Sequence, residues 1–426
     1  MKSSHAKSAT THPSAMSEAR HASIAGTMAR KPLAERWRAS FAHHAAQWLT
    51  ACRQILPVYI AVHLAALVIS VLAVLFTMGD FGRQSLPLYT LWQQWNRLDT
   101  THFDYIASYG YIDAWRTAFF PLYPLLIHGL TLLVHKTFFA SLLIANVADF
   151  VLLAVLYRLV AADFDEQCAQ RSVLYLSFFP TGFFLIAGYN ESLFLCFVLL
   201  SFYFMRQGQW WPAGVFGFLA CLTRSAGIFL LLPFCYEYLQ QHQFHLKKLR
   251  FDVLAGALLP LATGIFALYC FLRFGDILAF SHAQAHWDRE LHAPWYGMVS
   301  SVRTILHSSG LLGFYPLRNL TDLLPALFIL ALIILGFIGP WRFSRSQWAY
   351  GIYAGTLYLF IHLVPVAART DIPLQSVGRL MIEIFPAFIV LAAAGRHRMV
   401  HVNYLAVAGA LFFFLLAQFL TNRWVP

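Results

Sequence analysis

Charge is scarce in this chain. Only 12% of its 426 residues are Asp, Glu, Lys or Arg, where a soluble domain carries about 25%. That shortage excludes an ordinary soluble protein, and a hydrophobic share of 59% excludes a disordered one. Cysteine is sparse as well. Cys52, Cys168, Cys196, Cys221, Cys235 and Cys270 form no CxxC pair and sit mostly in apolar runs. They read as small core residues, not as a zinc site or a disulfide framework. Acidic residues are the scarcest charge, 19 against 30 basic ones, which leaves a net +11. Residues 1–55 alone hold eight Lys or Arg against Glu18 and Glu35, so a basic excess of six stands ahead of the first apolar run. Placed there, the excess is an orientation signal and not a nucleic-acid-binding surface. Residues 1–50 accordingly read as a disordered, basic cytoplasmic tail, rich in Ser, Ala and His. The charged stretch is too long for a cleavable signal peptide, and no small-residue cleavage site follows Leu56 to Met78.

What is abundant is long apolar sequence. Mean hydropathy is +0.61, and eleven apolar runs fall between residues 56 and 421, each to be weighed against the ~20 residues that a span requires. The expected fold class is an all-α polytopic membrane protein, its transmembrane domain covering 51–426. Two long polar stretches interrupt the runs, at 79–138 when the Pro-broken run at 117–134 is included, and at 274–321. Basic clusters at Lys247, Lys248 and Arg250, at Arg342 and Arg345, and at Arg396 and Arg398 belong inside.

Two threadings meet that requirement. Counting each run as one span puts Glu191 in a cytoplasmic loop. The alternative treats 117–134, broken by Pro121 and Pro124, as a half-buried surface helix and splits 210–239 at Thr223–Gly227. An Arg in mid-span costs about 2.5–3.5 kcal/mol on insertion scales, which a break at Arg224 relieves. We prefer the alternative, with about eleven helices, because it brings Glu191 and Arg224 to the outer face beside both long loops.

The first outer loop contains Arg97, Asp99 and His102 within Trp92–Tyr111. On a helix, Asp99 and His102 share a face and could act as a general base or as ligands of a divalent cation. The plainer reading makes this an interfacial helix anchored by Trp92, Trp95 and Tyr105. Tyr189, Asn190 and Glu191 follow at a junction of two runs. Glu191 is a carboxylate with almost no loop to solvate it, which suits a functional acid or a helix-start charge, and Arg224 suits a phosphate ligand or a snorkelling side chain. Gln284 and Trp287 lie in the second outer stretch with His282 and His286, an i, i+4 pair that is a weak metal signal. Arg369, Asp371 and Arg379 flank the last Pro-containing run and offer a second anion-binding Arg.

These residues occur in a recognisable order. Trp95 to Tyr111, then Ala118-Phe-Phe-Pro-Leu-Tyr-Pro-Leu125, Gly188-Tyr-Asn-Glu-Ser192, Leu222-Thr-Arg-Ser-Ala-Gly227, Phe274-Gly-Asp276 and Gly378-Arg379 resemble the PIG-V family, the GPI mannosyltransferase II enzymes of GT-C architecture and their prokaryotic relatives. One departure is Leu98, where the family usually has Trp directly before the Asp. The resemblance implies an inverting hexosyltransferase, mannose-specific in the family, that takes its sugar from a polyprenyl-phosphate donor on the outer or lumenal leaflet. It implies Asp99 as general base with His102 beside it, Glu191 as a second acidic group, and Arg224 and Arg379 on the donor phosphate. Arg97, Tyr189, Asn190, Gln284 and Trp287 are the expected substrate-binding side chains. Expected partners are a lipid-linked sugar donor, a glycolipid or protein acceptor, membrane lipids and, optionally, a membrane partner subunit, with no nucleic acid. Compact length and short loops favour a prokaryotic plasma membrane over the endoplasmic reticulum. The rival class is a multipass transporter or flippase, against which the absence of a visible repeat and the charges at run ends both argue. A non-catalytic membrane subunit is the third reading.

Overall fold

Five helices are long and apolar enough to cross a bilayer: His44–Leu75, Thr137–Asp163, Phe251–Phe274, Phe314–Ile338 and Arg398–Leu420. They come from a computed structural model that describes residues 33–77, 88–308, 310, 312–367 and 371–422. The chain is therefore an all-helical integral membrane protein; among the described residues the sole β contact is an isolated bridge between Arg289 and Val366. It divides into two units, Met1–Arg53 and Gln54–Pro426, and the site described below lies in the second.

Several expectations shift. The first 32 residues of the expected tail lie outside the described residues, but helix is already present from Leu33. Leu33-Ala-Glu-Arg-Trp-Arg-Ala is rich in strong helix formers, which a reading by composition alone undervalues. The expected count of eleven is not confirmed: among the described residues five helices are long and apolar enough to cross, or six if the bent pair Val377–Glu383 and Phe385–Ala394 counts as one. The remaining apolar runs make short helices. Leu122–Val134 has 13 residues and Trp210–Thr223 has 14, about 20 Å at 1.5 Å per residue, short of a ~30 Å hydrocarbon layer. The Pro-broken run thus forms a short apolar helix, and the 210–239 run does split: helix ends at Thr223, a 3-10 turn covers Ser225–Leu230, and Leu231–Gln241 follows.

Each break has a local cause. At Arg224 the backbone is extended, and the chain folds back so tightly that a Cβ on Gly227 would stand 2.5 Å from the Cys221 backbone nitrogen. The last pair bends by 78° just before Pro386, whose missing N–H and fixed φ start a new helix instead of continuing the old one.

The core forms where the most buried helix faces meet. Thr137–Asp163 packs on Glu166–Ser177 and Glu191–Arg206, and Phe385–Ala394 packs on Glu166–Ser177. Phe183, Phe194, Phe202, Tyr350 and Phe385 are all fully buried there. By contrast Leu64, Leu132, Leu272 and Ile338 are more than half exposed, which suits helices facing hydrocarbon.

Candidate active site

The N-terminal end of the Glu191–Arg206 helix is where the scarce charge collects. Glu191 has no exposure at all. Its Oε1 lies 3.0 Å from Arg224 Nη1 and 3.3 Å from Arg379 Nε, and its Oε2 is buried without a partner. Arg379 Nη1 donates to Asp99 Oδ2 at 2.7 Å. Arg224 donates also to Asn190 Oδ1 at 2.8 Å, and its Nε forms an ion pair with Glu383 Oε1 at 3.1 Å. Two guanidiniums and three carboxylates, drawn from four distant segments, form one network. Burying unpaired charge costs several kcal/mol per ion, so such a cluster survives in an apolar protein only because its members are paired.

The surrounding backbone fixes this arrangement. Asp99 opens the Asp99–Tyr109 helix, and Leu98 before it has φ 51° and ψ −120°. A left-handed conformation in a bulky residue stores of order 1–3 kcal/mol and persists only where the surroundings impose it. Arg379 is placed through Gly378, whose carbonyl accepts from Thr181 Oγ1 at 3.0 Å and whose N–H donates to Asp322 Oδ1 at 3.0 Å. Asp322 is in turn held by Arg318 at 2.6 Å. Asn190 is anchored by its Nδ2 donating to the Thr223 carbonyl at 3.0 Å, and the Arg379 guanidinium lies 5.3 Å from the ring centroids of both Phe184 and Tyr189.

His102 lies on the same helix but meets rings, not the acids: Phe119 at 5.1 Å, Trp287 at 5.4 Å and Trp115 at 5.5 Å. Burial holds it below the usual imidazole pKa, with Asp99 opposing, so it is neutral at pH 7. Asp104, further along that helix, is pushed up to about 7 by burial.

Asp99, Glu191, Asn190, Arg224 and Arg379 are thus brought together as the second threading requires. Tyr189 is completely buried and donates its hydroxyl to the Arg97 carbonyl at 3.3 Å. Arg97 itself is turned elsewhere: Nε donates to the Gln94 carbonyl and Nη2 to the Leu420 carbonyl. Trp287 joins the aromatic wall over His102, whereas the Gln284 side chain has no hydrogen-bond partner. Arg224 and Arg379, expected on a phosphate, are engaged by carboxylates. Arg369 lies outside the described residues. His282 Nδ1 lies 2.7 Å from Asp276 Oδ2, and His286 stacks on Trp115 at 4.3 Å, so that pair does not converge on a metal. Among the described residues no cluster of three or more metal-ligating side chains exists. Sequence reasoning missed Glu383, which lies inside an apolar run; an acid there signals a paired partner. It also passed over Arg289.

An apolar cavity of about 710 Å³ is lined among others by Leu67, Trp92, Trp95 and Leu143. Trp95 is four residues from Asp99 in sequence. Nearly all the cavity wall is apolar, and its size falls in the range of small-molecule sites.

Against known proteins, the sequence model of the family described as dolichyl-phosphate-mannose-protein mannosyltransferase matches residues 118–271, a segment that contains Glu191 and Arg224. GPI mannosyltransferase 2 of Schizosaccharomyces pombe is 32% identical over 153 residues, 34% of this chain and 32% of that one. GPI alpha-1,6-mannosyltransferase 2 of Rattus norvegicus is 26% identical over 336 residues, 70% of this chain and 66% of that one. The chain resembles GPI mannosyltransferase 2. The matches therefore span about a third of the yeast relative and just under two thirds of the rat one. Among solved structures, ArnT from Cupriavidus metallidurans bound to undecaprenyl phosphate aligns over 85% of this chain and 76% of its own at 13% identity, with a TM-score of 0.48.

Proposed function

We propose that the chain is a membrane hexosyltransferase, mannose being the favoured sugar, that moves the sugar from a polyprenyl-phosphate donor to an acceptor hydroxyl with inversion. The observation that carries this reading is the meeting of Asp99 with Arg379 and Glu191. Asp99 uses one oxygen on Arg379, while Oδ1 has no partner among the described residues and the side chain remains 23% exposed. That free oxygen is a proton acceptor held in fixed aim, the geometry a general base needs. The acceptor O–H gives its proton to Asp99, its oxygen bonds the anomeric carbon, and the bond from that carbon to the phosphate oxygen breaks with its electron pair on the phosphate. Nearby guanidiniums offset the charge that develops there. The similarity to GPI mannosyltransferase 2 supports mannose and a glycolipid acceptor, and the apolar cavity lined by Trp92 and Trp95 supports a lipid substrate. We place the site on the outer or lumenal face of the membrane, in a prokaryotic plasma membrane by preference.

The test is transfer from labelled polyprenyl-phosphate-mannose by the purified chain. Asp99→Asn keeps the hydrogen bond to Arg379 and removes the base; transfer is expected to fall by about 10²–10⁴ with the melting temperature unchanged. Full activity of Asp99→Asn rejects this role.

A further inference from the structure

Arg224 and Arg379 present a difficulty for phosphate binding. Each guanidinium already faces two carboxylates, Glu191 with Glu383 and Asp99 with Glu191 respectively. An incoming phosphate would compete with groups of its own sign. A third guanidinium stands beside them under different terms. Arg289 Nη1 donates to the Val364 carbonyl at 3.0 Å and Nη2 to the Gln375 carbonyl at 3.2 Å. Both partners are neutral. Among the described residues no carboxylate lies within ion-pair distance of it, and its Nε and the second hydrogen of each Nη are uncommitted.

Its position is firm and close to the network. The Arg289 backbone bridges to Val366, Glu290 N–H donates to the Pro365 carbonyl at 3.2 Å and His292 N–H to the Leu363 carbonyl at 2.9 Å. Gln375, which holds Nη2, lies two residues before the Val377–Leu380 helix that carries Arg379. Burial first, and then repulsion from Arg379, lower the Arg289 pKa to about 10, with Asp99 and Asp322 opposing. It is still charged at pH 7 with no carboxylate among the described residues at ion-pair distance, and the side chain is only partly buried. A partly desolvated cation without a carboxylate is the group to which an anion adds most.

We infer that Arg289 is the anion-binding residue of this site, receiving the phosphate of the polyprenyl-phosphate sugar, while Arg224 and Arg379 fix the carboxylates Asp99, Glu191 and Glu383. The inference rests on the glycosyltransferase reading and names a different residue for the leaving group. When the sugar departs, the phosphate gains one negative charge and the acceptor's proton resides on Asp99. Arg289 then faces more charge than in the substrate complex, so it stabilises the departing polyprenyl phosphate more than the bound donor.

The experiment compares binding of undecaprenyl phosphate and of undecaprenol, its neutral alcohol, to the full-length protein in detergent. The unmodified chain should prefer the phosphate by at least about tenfold, which is ~1.4 kcal/mol. Arg289→Gln should bring the two affinities within about twofold, Arg289→Lys should keep part of the preference, and Arg224→Gln should keep most of it. Retained preference in a folded Arg289→Gln overturns the assignment and leaves the transferase reading standing. No preference in the unmodified chain overturns both. If Arg289→Gln does not fold, phenylglyoxal modification of the unmodified protein decides. Protection of Arg289 by undecaprenyl phosphate supports the assignment, and protection confined to Arg224 or Arg379 overturns it.

Discussion

The Glu191–Arg206 helix carries an ion cluster at each end, and the two are built to opposite purposes. At its C-terminal end Arg206 donates from Nε and Nη2 to Asp163 at 2.8 and 3.2 Å, and from Nη1 to Glu237 at 2.8 Å and to the Ser346 carbonyl at 2.7 Å. Asp163 also accepts from Tyr350 at 2.7 Å, and Glu237 from Gln241 at 2.8 Å. Every guanidinium nitrogen there is used, and the cluster joins four segments. At the N-terminal end the leftover capacity is larger: among the described residues Asp99 Oδ1 and Glu191 Oε2 have no partner, and Asp99 is partly exposed, whereas at the C-terminal end only Glu237 Oε2 is left without one. A cluster whose guanidinium is fully engaged holds helices together, whereas one with more unpaired carboxylate oxygens keeps groups available for chemistry.

The sharpest way to break this comparison is to remove one charge from each end. Asp99→Asn should lose about 10²–10⁴ in transfer rate with little change in stability, whereas Arg206→Met should lose about 3–5 kcal/mol of stability by stranding Asp163 and Glu237 and keep its activity per folded molecule. Equilibrium unfolding and single-turnover transfer on both variants check this; loss of activity with intact stability in Arg206→Met would dissolve the distinction. Glu191→Gln is intermediate, since Oε1 can still accept from Arg224 and Arg379 while the charge is gone. We expect about 1–3 kcal/mol of stability lost and a drop in rate, measured in the same assays. The smallest effect sharpens the Asp99 side. Because burial raises the Asp104 pKa to about 7, the folded state holds that proton more tightly than the unfolded chain. Stability is then fully present below the unfolded carboxyl value and is lost as pH rises toward 7. Asp104→Asn should match the parent in thermal melts at pH 4 and exceed it at pH 8; an equal gap at both pH values removes Asp104 as the cause.

Much of this was legible before any coordinates. The low charge made the membrane class plain, and the cost of an Arg in mid-span located the break at Arg224. Requiring the polar residues to share a face then grouped Asp99, Glu191, Arg224 and Arg379 correctly. The count of spans was not legible, because hydropathy registers apolar runs without registering where Gly227 or Pro386 cuts them into helices shorter than a bilayer. Glu383 was hidden for the same reason, inside a run read as continuous. Arg289 went unassigned, since nothing local reveals that its neighbours are two carbonyls while Arg224 and Arg379 face acids. Arg97 was over-read: proximity to Asp99 in sequence does not aim a side chain, and its guanidinium serves the Gln94 and Leu420 carbonyls instead.

The strained Leu98 has a bearing on the order in which this protein is made. Its left-handed backbone is not a conformation the first loop would choose for itself, and the contact that holds Asp99 comes from Arg379, 280 residues later. A nascent chain emerging from the ribosome can insert its early helices without any such partner. Asp99 therefore acquires its aim only when the penultimate apolar segment has been synthesised and docked. A chain stopped before residue 377 should thus reach the membrane without the Asp99–Arg379 contact and without the cluster that contact completes.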